Sequence, residues 1–328
     1  MKKFNSILLG LILSLALLCP AFSAERVVTV GGNQATRPIS DFVLYQLEGT
    51  NYYVNSGVTA SGNGKSLDYA FKTITEAAAV AVAGDSIYIK GSFNEAVTVA
   101  VAGVRIVGIG TTTNRALWTA PDTTAPCLTI SAAADVWVEN IRFRPPVANA
   151  AISLVGASHQ FTVKNCRFQG KTGSYYGIKT DGSQANVHIL DSEFWYINTA
   201  TYGTAIYGAT YATAEPTGWI VQGNKFHSNL NHIVCRMRQS VITDNVFGAG
   251  GLAADGSTSA TLTVLGIDIH GATGGINIVT ANFLGGLYHQ AHYYGGTSDS
   301  WSGNFCTDRT HSTQVDATTG ISILAPAA

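Results

Sequence analysis

Val138-Glu139-Asn140-Ile141-Arg142-Phe143 returns as Val163-Lys164-Asn165-Cys166-Arg167-Phe168 and again as Ile189-Leu190-Asp191-Ser192-Glu193-Phe194. The pulse continues as Val221-Gln222-Gly223-Asn224-Lys225-Phe226, Ile242-Thr243-Asp244-Asn245-Val246-Phe247, Ile278-Val279-Thr280-Ala281-Asn282-Phe283 and a shortened Trp301-Ser302-Gly303-Asn304-Phe305. From Phe to Phe the spacings are 25, 26, 32, 21, 36 and 22 residues, so one structural unit is used at least seven times. Between the Phe motifs lies a second apolar pulse: Ala151-Ile152-Ser153-Leu154, Gly177-Ile178-Lys179, Ala205-Ile206-Tyr207 and His232-Ile233-Val234. Each unit thus holds two or three very short strands separated by Gly, Asn, Ser and Thr turns, with no helical period inside it. A propeller blade needs about 40 residues and a leucine-rich repeat needs its Leu ladder, whereas a coil of a parallel β-helix fits the spacing.

Strands of such a coil pair with their equivalents above and below, about 4.8 Å away, so like side chains stack. The expectation is an all-β solenoid with Phe143, Phe168, Phe194, Phe226, Phe247 and Phe283 as an interior ladder. Asn140, Asn165, Asp191 and Asp244 then occupy one equivalent turn, where Asn and Asp satisfy backbone groups. Relative to the shortest coils, the two long repeats carry surplus residues, placed over Trp195 to Pro216 and Gly248 to Ser259. Surplus in a solenoid goes outward as loops, and these two are expected to border one groove.

The chain has 328 residues, 46% of them apolar and only 12% charged, with 35 glycines and a formal net charge of −1. That composition suits a large buried core and excludes disorder and collagen. The near-neutral balance argues against a nucleic-acid partner, the nearest basic pair being Arg236 and Arg238. Lys2 and Lys3, the apolar run Ile7 to Leu18 and the small residues around Ser23 read as a secretory signal over residues 1–23, too short to span a bilayer. An extracellular location follows, with no membrane anchor after cleavage. Export permits disulfides, and spacing leaves open whether any of Cys127, Cys166, Cys235 and Cys306 are bridged.

Upstream of the coils, Ser66-Leu67-Asp68 can cap a helix over residues 68–83, stopped by Gly84, that covers the open edge of the first coil. Residues 24–51 form an N-terminal arm, 52–308 the solenoid, and 309–328 a C-terminal tail. Gly62-Asn63-Gly64-Lys65-Ser66, Ala70-Phe71-Lys72-Thr73-Ile74 and Gly84-Asp85-Ser86-Ile87-Tyr88-Ile89 resemble the N-terminal cap and first coil of right-handed, pectate-lyase-like parallel β-helix proteins. In flavour the chain is similar to β-helix structural proteins of tailed phages. The resemblance implies a right-handed single-stranded parallel β-helix and admits lyases, hydrolases, adhesins and tailspikes alike.

Chemistry is sparse. Thr180-Asp181-Gly182 is similar to the first acidic motif of polygalacturonases, but the Gly-Asp-Asp segment that should follow is replaced by Tyr202-Gly203-Thr204-Ala205-Ile206. If the chain is an enzyme, Asp181, Asp191, Arg236 and His270 are its acid-base candidates. No metal-ligand set and no cofactor are expected. The aromatic residues Tyr175, Tyr176, Trp195, Tyr196 and Tyr207 offer faces on which a sugar ring can stack. The expectation is a non-catalytic extracellular or virion structural protein that contacts surface glycans and assembles as a homo-oligomer such as a trimer. The alternative is a secreted polysaccharide lyase or hydrolase.

Overall fold

The computed structural model describes residues 26–30, 33–37 and 49–306, apart from 122–124, 172, 183, 198–202, 209–214, 249–262, 270–275, 286–287 and 295–298. The expected signal segment 1–23 and tail 309–328 lie outside the described residues. Within the arm, Arg26–Val30 pairs antiparallel with Asn33–Arg37, in a unit separate from the one that begins at Thr50.

From Asn51 onward the chain winds as a right-handed parallel β-helix of three sheets. Sheet I has ten strands, from Asn51–Asn55 to Ser300–Ser302. Sheet II has nine, from Ser92–Asn94 to Phe305–Cys306, and sheet III has eight, from Val97–Val99 to Tyr288–Tyr294. Every pairing in the three sheets is parallel to the equivalent strand one coil away, as in Phe143↔Phe168↔Phe194↔Phe226↔Phe247.

That register builds the core. Trp118, Phe143, Phe168, Phe194, Phe226 and Phe247 are buried and stack in sequence with centroids 5.6, 5.3, 4.5, 4.9 and 4.7 Å apart. Phe283 does not join them. It is 41% exposed and stacks outside on Phe305, while Leu284 takes the interior place opposite Phe247. A shift of one residue turns a strand's side chains to the other face, and the run Asn282-Phe283-Leu284 is read correctly only when aligned on its asparagine.

Two residues before each interior position runs a polar ladder. The backbone N–H of Asn224 donates to Asn245 Oδ1 at 3.0 Å, that of Asn245 to Asn282 Oδ1 at 3.1 Å, and that of Asn282 to Asn304 Oδ1 at 3.1 Å. Each amide Nδ2 also donates to a strand carbonyl, as Asn245 does to Val221 O at 2.9 Å. The ladder thereby satisfies backbone groups of the buried turn between sheets I and II. Just upstream, Asn140, Asn165, Asp191 and Asp244 share one backbone state, with φ of 58, 50, 49 and 57°. This is the left-handed conformation that Asn and Asp tolerate best, so these residues are turn-formers as expected. Gly223, at φ 69°, fills the same register.

The capping helix spans Ile74–Val80, shorter than the expected 68–83. Phe71 is the reason. Its N–H donates to Tyr53 O at 2.9 Å and its carbonyl accepts from Asn55 N at 2.8 Å, holding the chain extended against the first strand. Helix begins only at Thr73, whose Oγ1 accepts from Glu76 N at 3.2 Å while Glu76 accepts from Thr73 N at 3.0 Å. Glu95 accepts the next two helix N–H groups, Ile74 and Thr75, both at 2.9 Å. Ile74 and Ala77 are buried against the first coil, the covering role expected of the element.

Cys127, Cys166 and Cys235 are unbridged and buried. Burial pushes the thiols of Cys127 and Cys166 up to about 12 and that of Cys235 higher still. Alkylation with mass mapping at mildly alkaline pH should leave all three unmodified in the native protein and modify them in denaturant. Phe194→Ala should lose about 3–5 kcal/mol in urea unfolding through the cavity it leaves between coils. Phe283→Ser should stay within about 0.5 kcal/mol, because it vacates a surface position. Equal losses for the two would contradict the register.

Candidate functional site

The outer face of sheet III gathers the polar and aromatic residues that the solenoid does not consume. Its parallel register lines up Ser153, Lys179, Tyr207, Val234 and Asp268 in one column, of which Ser153, Lys179 and Tyr207 are partly exposed, while Ala150, Tyr176 and Thr204 form a buried column with Asn231, partly exposed, next in register. Tyr176 leans onto Tyr207, ring centroids 4.4 Å apart and planes 22° from parallel. Lys179 Nζ lies 5.6 Å from the Tyr176 ring, and Tyr175 meets Tyr176 edge-on at 5.9 Å. Asn231 Nδ2 donates to Thr204 Oγ1 at 3.3 Å. Three of the five aromatic candidates, Tyr175, Tyr176 and Tyr207, therefore form one cluster beside a cation, Tyr176 buried and Tyr175 and Tyr207 partly exposed.

Trp195 and Tyr196 do not belong to it. Trp195 lies on sheet II, its ring 5.5 Å from His227 and 5.3 Å from the Arg167 guanidinium. Tyr196 occupies the following turn at φ 56°. Alternation along a strand puts neighbours on opposite faces, and here a corner of the solenoid also lies between Trp195 and the next strand.

The acid-base candidates are not brought together. Asp181 fastens a turn, accepting Gly156 N and Gln184 Nε2, both at 2.7 Å. Gln184 also bonds Thr180 and the Gly156 carbonyl, so this cluster ties two coils together. Asp191 sits in the turn between sheets I and II, at another corner. Arg236 Nε pairs with Glu215 Oε1 at 2.7 Å and Arg238 Nε with Glu215 Oε2 at 3.3 Å, one carboxylate held between two guanidinium groups. His270 lies outside the described residues. Two carboxyl groups flanking one open position, as glycoside hydrolysis requires, are not formed by these residues. Among the described residues no group of three or more His, Cys, Asp or Glu side chains is placed to hold a metal ion.

The stretch Trp195 to Pro216 is not the single outward loop its length suggested. Thr204–Gly208 inside it is a sheet III strand, paired with Tyr176–Thr180 and Asn231–Val234. The surplus is divided between 198–202 and 209–214, which lie outside the described residues, as does nearly all of Gly248 to Ser259.

Lys179 and Thr204 escaped attention because each is unremarkable in its own repeat. Aligning the second apolar pulse, Gly177-Ile178-Lys179 over Ala205-Ile206-Tyr207, puts Lys179 beside Tyr207 and would have found the pair.

No family model matches this chain, and no curated protein matches it. Among solved structures it is similar to an alginate lyase from Paenibacillus sp. str. FPU-7, with 13% identity over 71% of this chain and 83% of that one, at a TM-score of 0.58. It is also similar to pectate lyase Pel9A, with 12% identity over 87% of this chain and 83% of that one, at a TM-score of 0.51. At such identities the likeness is one of fold, the parallel β-helix described above.

Beneath the sheet III face, His232 points into the core. It is fully buried between Phe226 and Phe247, centroids 5.8 and 5.6 Å away, with Asn229 Nδ2 3.2 Å from its Nδ1. Burial, aided by the charge of His227, pushes its pKa down to about 3. In the unfolded chain it protonates near the ordinary histidine value of about 6.5, so the unfolded state takes up the proton first. Its contribution is complete above about pH 6.5 and is lost as pH falls toward about 3. Urea unfolding across that window should show a steeper loss of stability in the wild type than in His232→Phe. Parallel curves would contradict a neutral buried imidazole.

Proposed function

We propose that this protein is an extracellular glycan-binding β-helix, structural rather than catalytic, that holds a saccharide chain across the outer face of sheet III. The observation that carries the reading is Tyr207, partly exposed, backed at 4.4 Å by the buried Tyr176 ring and with Lys179 as its register partner. Rigid aromatic side chains supply contact area to a sugar at low entropic cost, and a lysine at the edge favours an acidic or strongly hydroxylated unit. Asn231, partly exposed, adds a hydrogen-bonding group nearby. The alginate and pectate lyases that share the fold act on polysaccharides by name, which supports a saccharide ligand.

The structural assignment rests on what surrounds the platform. Asp181 and Glu215 are engaged as fasteners, by Gly156 and Gln184 and by the two arginines, so neither stands ready as an acid or base. An exported protein is supported by the N-terminal segment, and no helix among the described residues is long and apolar enough to cross a membrane. Assembly into a homo-oligomer belongs to the same proposal, since solenoids that present one face to a glycan gain avidity from copies side by side.

Tyr207→Ala should weaken binding to the best-bound member of a glycan array about tenfold, the equivalent of one lost ring stack. Lys179→Gln should weaken acidic glycans selectively. Unchanged binding in both variants would remove this face from consideration. Accumulation of unsaturated sugar product from alginate or polygalacturonate, followed by ultraviolet absorbance, would assign the face to catalysis instead.

A further inference from the structure

Sheet II carries a column of charge that neither the fold nor the sheet III platform uses. Arg142 and Arg167 stand directly opposite each other in register, and Arg144 lies two residues along the same strand from Arg142. Like charges directly opposed on adjacent strands destabilise a sheet, so the arrangement costs stability where it stands. Among the described residues Arg142 and Arg144 have no acidic partner within ion-pair distance, whereas Arg167 pairs with Glu193 at 2.8 Å. The Nε atom of Arg142 is buried with no hydrogen-bond acceptor. The Arg142 guanidinium has its pKa lowered by partial burial and by Arg144 and Arg167. One coil further on, Trp195 lies beneath Arg167 at 5.3 Å and stacks on His227.

We propose that the outer face of sheet II is a second ligand site, a cradle in which the anionic groups of an acidic polysaccharide seat against Arg142, Arg144 and Arg167. Guanidinium groups bind carboxylate or sulfate through paired N–H donors, which would satisfy the buried Nε of Arg142. Coils repeat about every 4.8 Å, so two neighbouring anions of the polymer meet the two rungs that carry Arg142 and Arg167. A nucleic acid fits less well, because it needs a longer basic track than the rungs of Arg142 and Arg167, which Glu193 ends.

The site is separate from the sheet III platform and does not depend on it. Binding of the full-length protein to immobilised polygalacturonate, dextran sulfate, neutral dextran and a single-stranded oligonucleotide tests it. The wild type should bind at least one of the first two, more weakly as salt is raised, and should ignore neutral dextran. The tighter of the two names the anion, carboxylate or sulfate. Arg142→Ser combined with Arg144→Ser should weaken that binding at least about tenfold, as loss of two charge-assisted contacts requires. Glu193→Gln, which releases Arg167 from its internal partner, should tighten it about twofold to fivefold. Tyr207→Ala should leave it unaltered, so a failure on sheet III is told apart from a failure here. Wild-type affinity in the double variant, or preference for the oligonucleotide, would overturn the proposal. Should the double variant not fold, an unchanged affinity in Glu193→Gln overturns it alone.

Discussion

Every feature of this molecule depends on parallel, in-register pairing between one coil and the next. The constraint is a polar one as much as an apolar one. Each coil turns three corners inside a dry solenoid, and each corner buries backbone groups that have no partner within their own coil. At the corner between sheets I and II, Asn224, Asn245, Asn282 and Asn304 solve this by having each accept from the coil before it and donate into a strand carbonyl. A neighbouring ladder does the same where Ser240 N donates to Asn277 and Asn277 N to Asp299. Such a ladder works only if every coil is aligned to the residue, and that alignment is what stacks Trp118 and the phenylalanines at 4.5–5.6 Å behind it.

The same constraint creates the surfaces. In a solenoid, residues about 25 positions apart in sequence become neighbours about 4.8 Å apart in space, so a face is written one residue per repeat. Arg142 and Arg167 each precede an interior Phe, and so do Glu193 and Lys225. Along the chain they are isolated charges in an apolar setting. On sheet II they form a single file. The Tyr176 and Tyr207 pair arises likewise on sheet III, from two repeats whose apolar pulses are Gly177-Ile178 and Ala205-Ile206.

The fold was legible in the sequence because a repeat averages over its copies. The Phe motif announced the coils, and the left-handed turn at Asn140, Asn165, Asp191 and Asp244 followed from residue type alone. Misreadings occurred where a single copy departs from the average. Phe283 follows its Asn directly instead of after one residue, which turns it outward, and Phe71 pairs with the first strand before the helix can start. The site was legible only in part. Tyr175, Tyr176 and Tyr207 converge, but Trp195 turns to a different sheet, and Asp181 and Arg236 are spent on turns. The arginine column went unseen because composition sums charge over the whole chain, where 19 basic residues are balanced by 20 acidic ones. Listing the residue before each interior Phe would have shown it.

In-register stacking is measured most directly as a distance along one column. Ser92, Leu117, Arg142, Arg167, Glu193 and Lys225 are successive register partners on sheet II. Spin labels on Ser92→Cys and Lys225→Cys, in a Cys19→Ser and Cys306→Ser background that leaves only buried native thiols, span five strand steps. Pulsed dipolar spectroscopy should give a narrow distribution centred at about 24 Å between backbones, broadened by the label arms. A broad distribution, or one centred well beyond that distance, would contradict the coil-on-coil register on which the core, the platform and the cradle all rest.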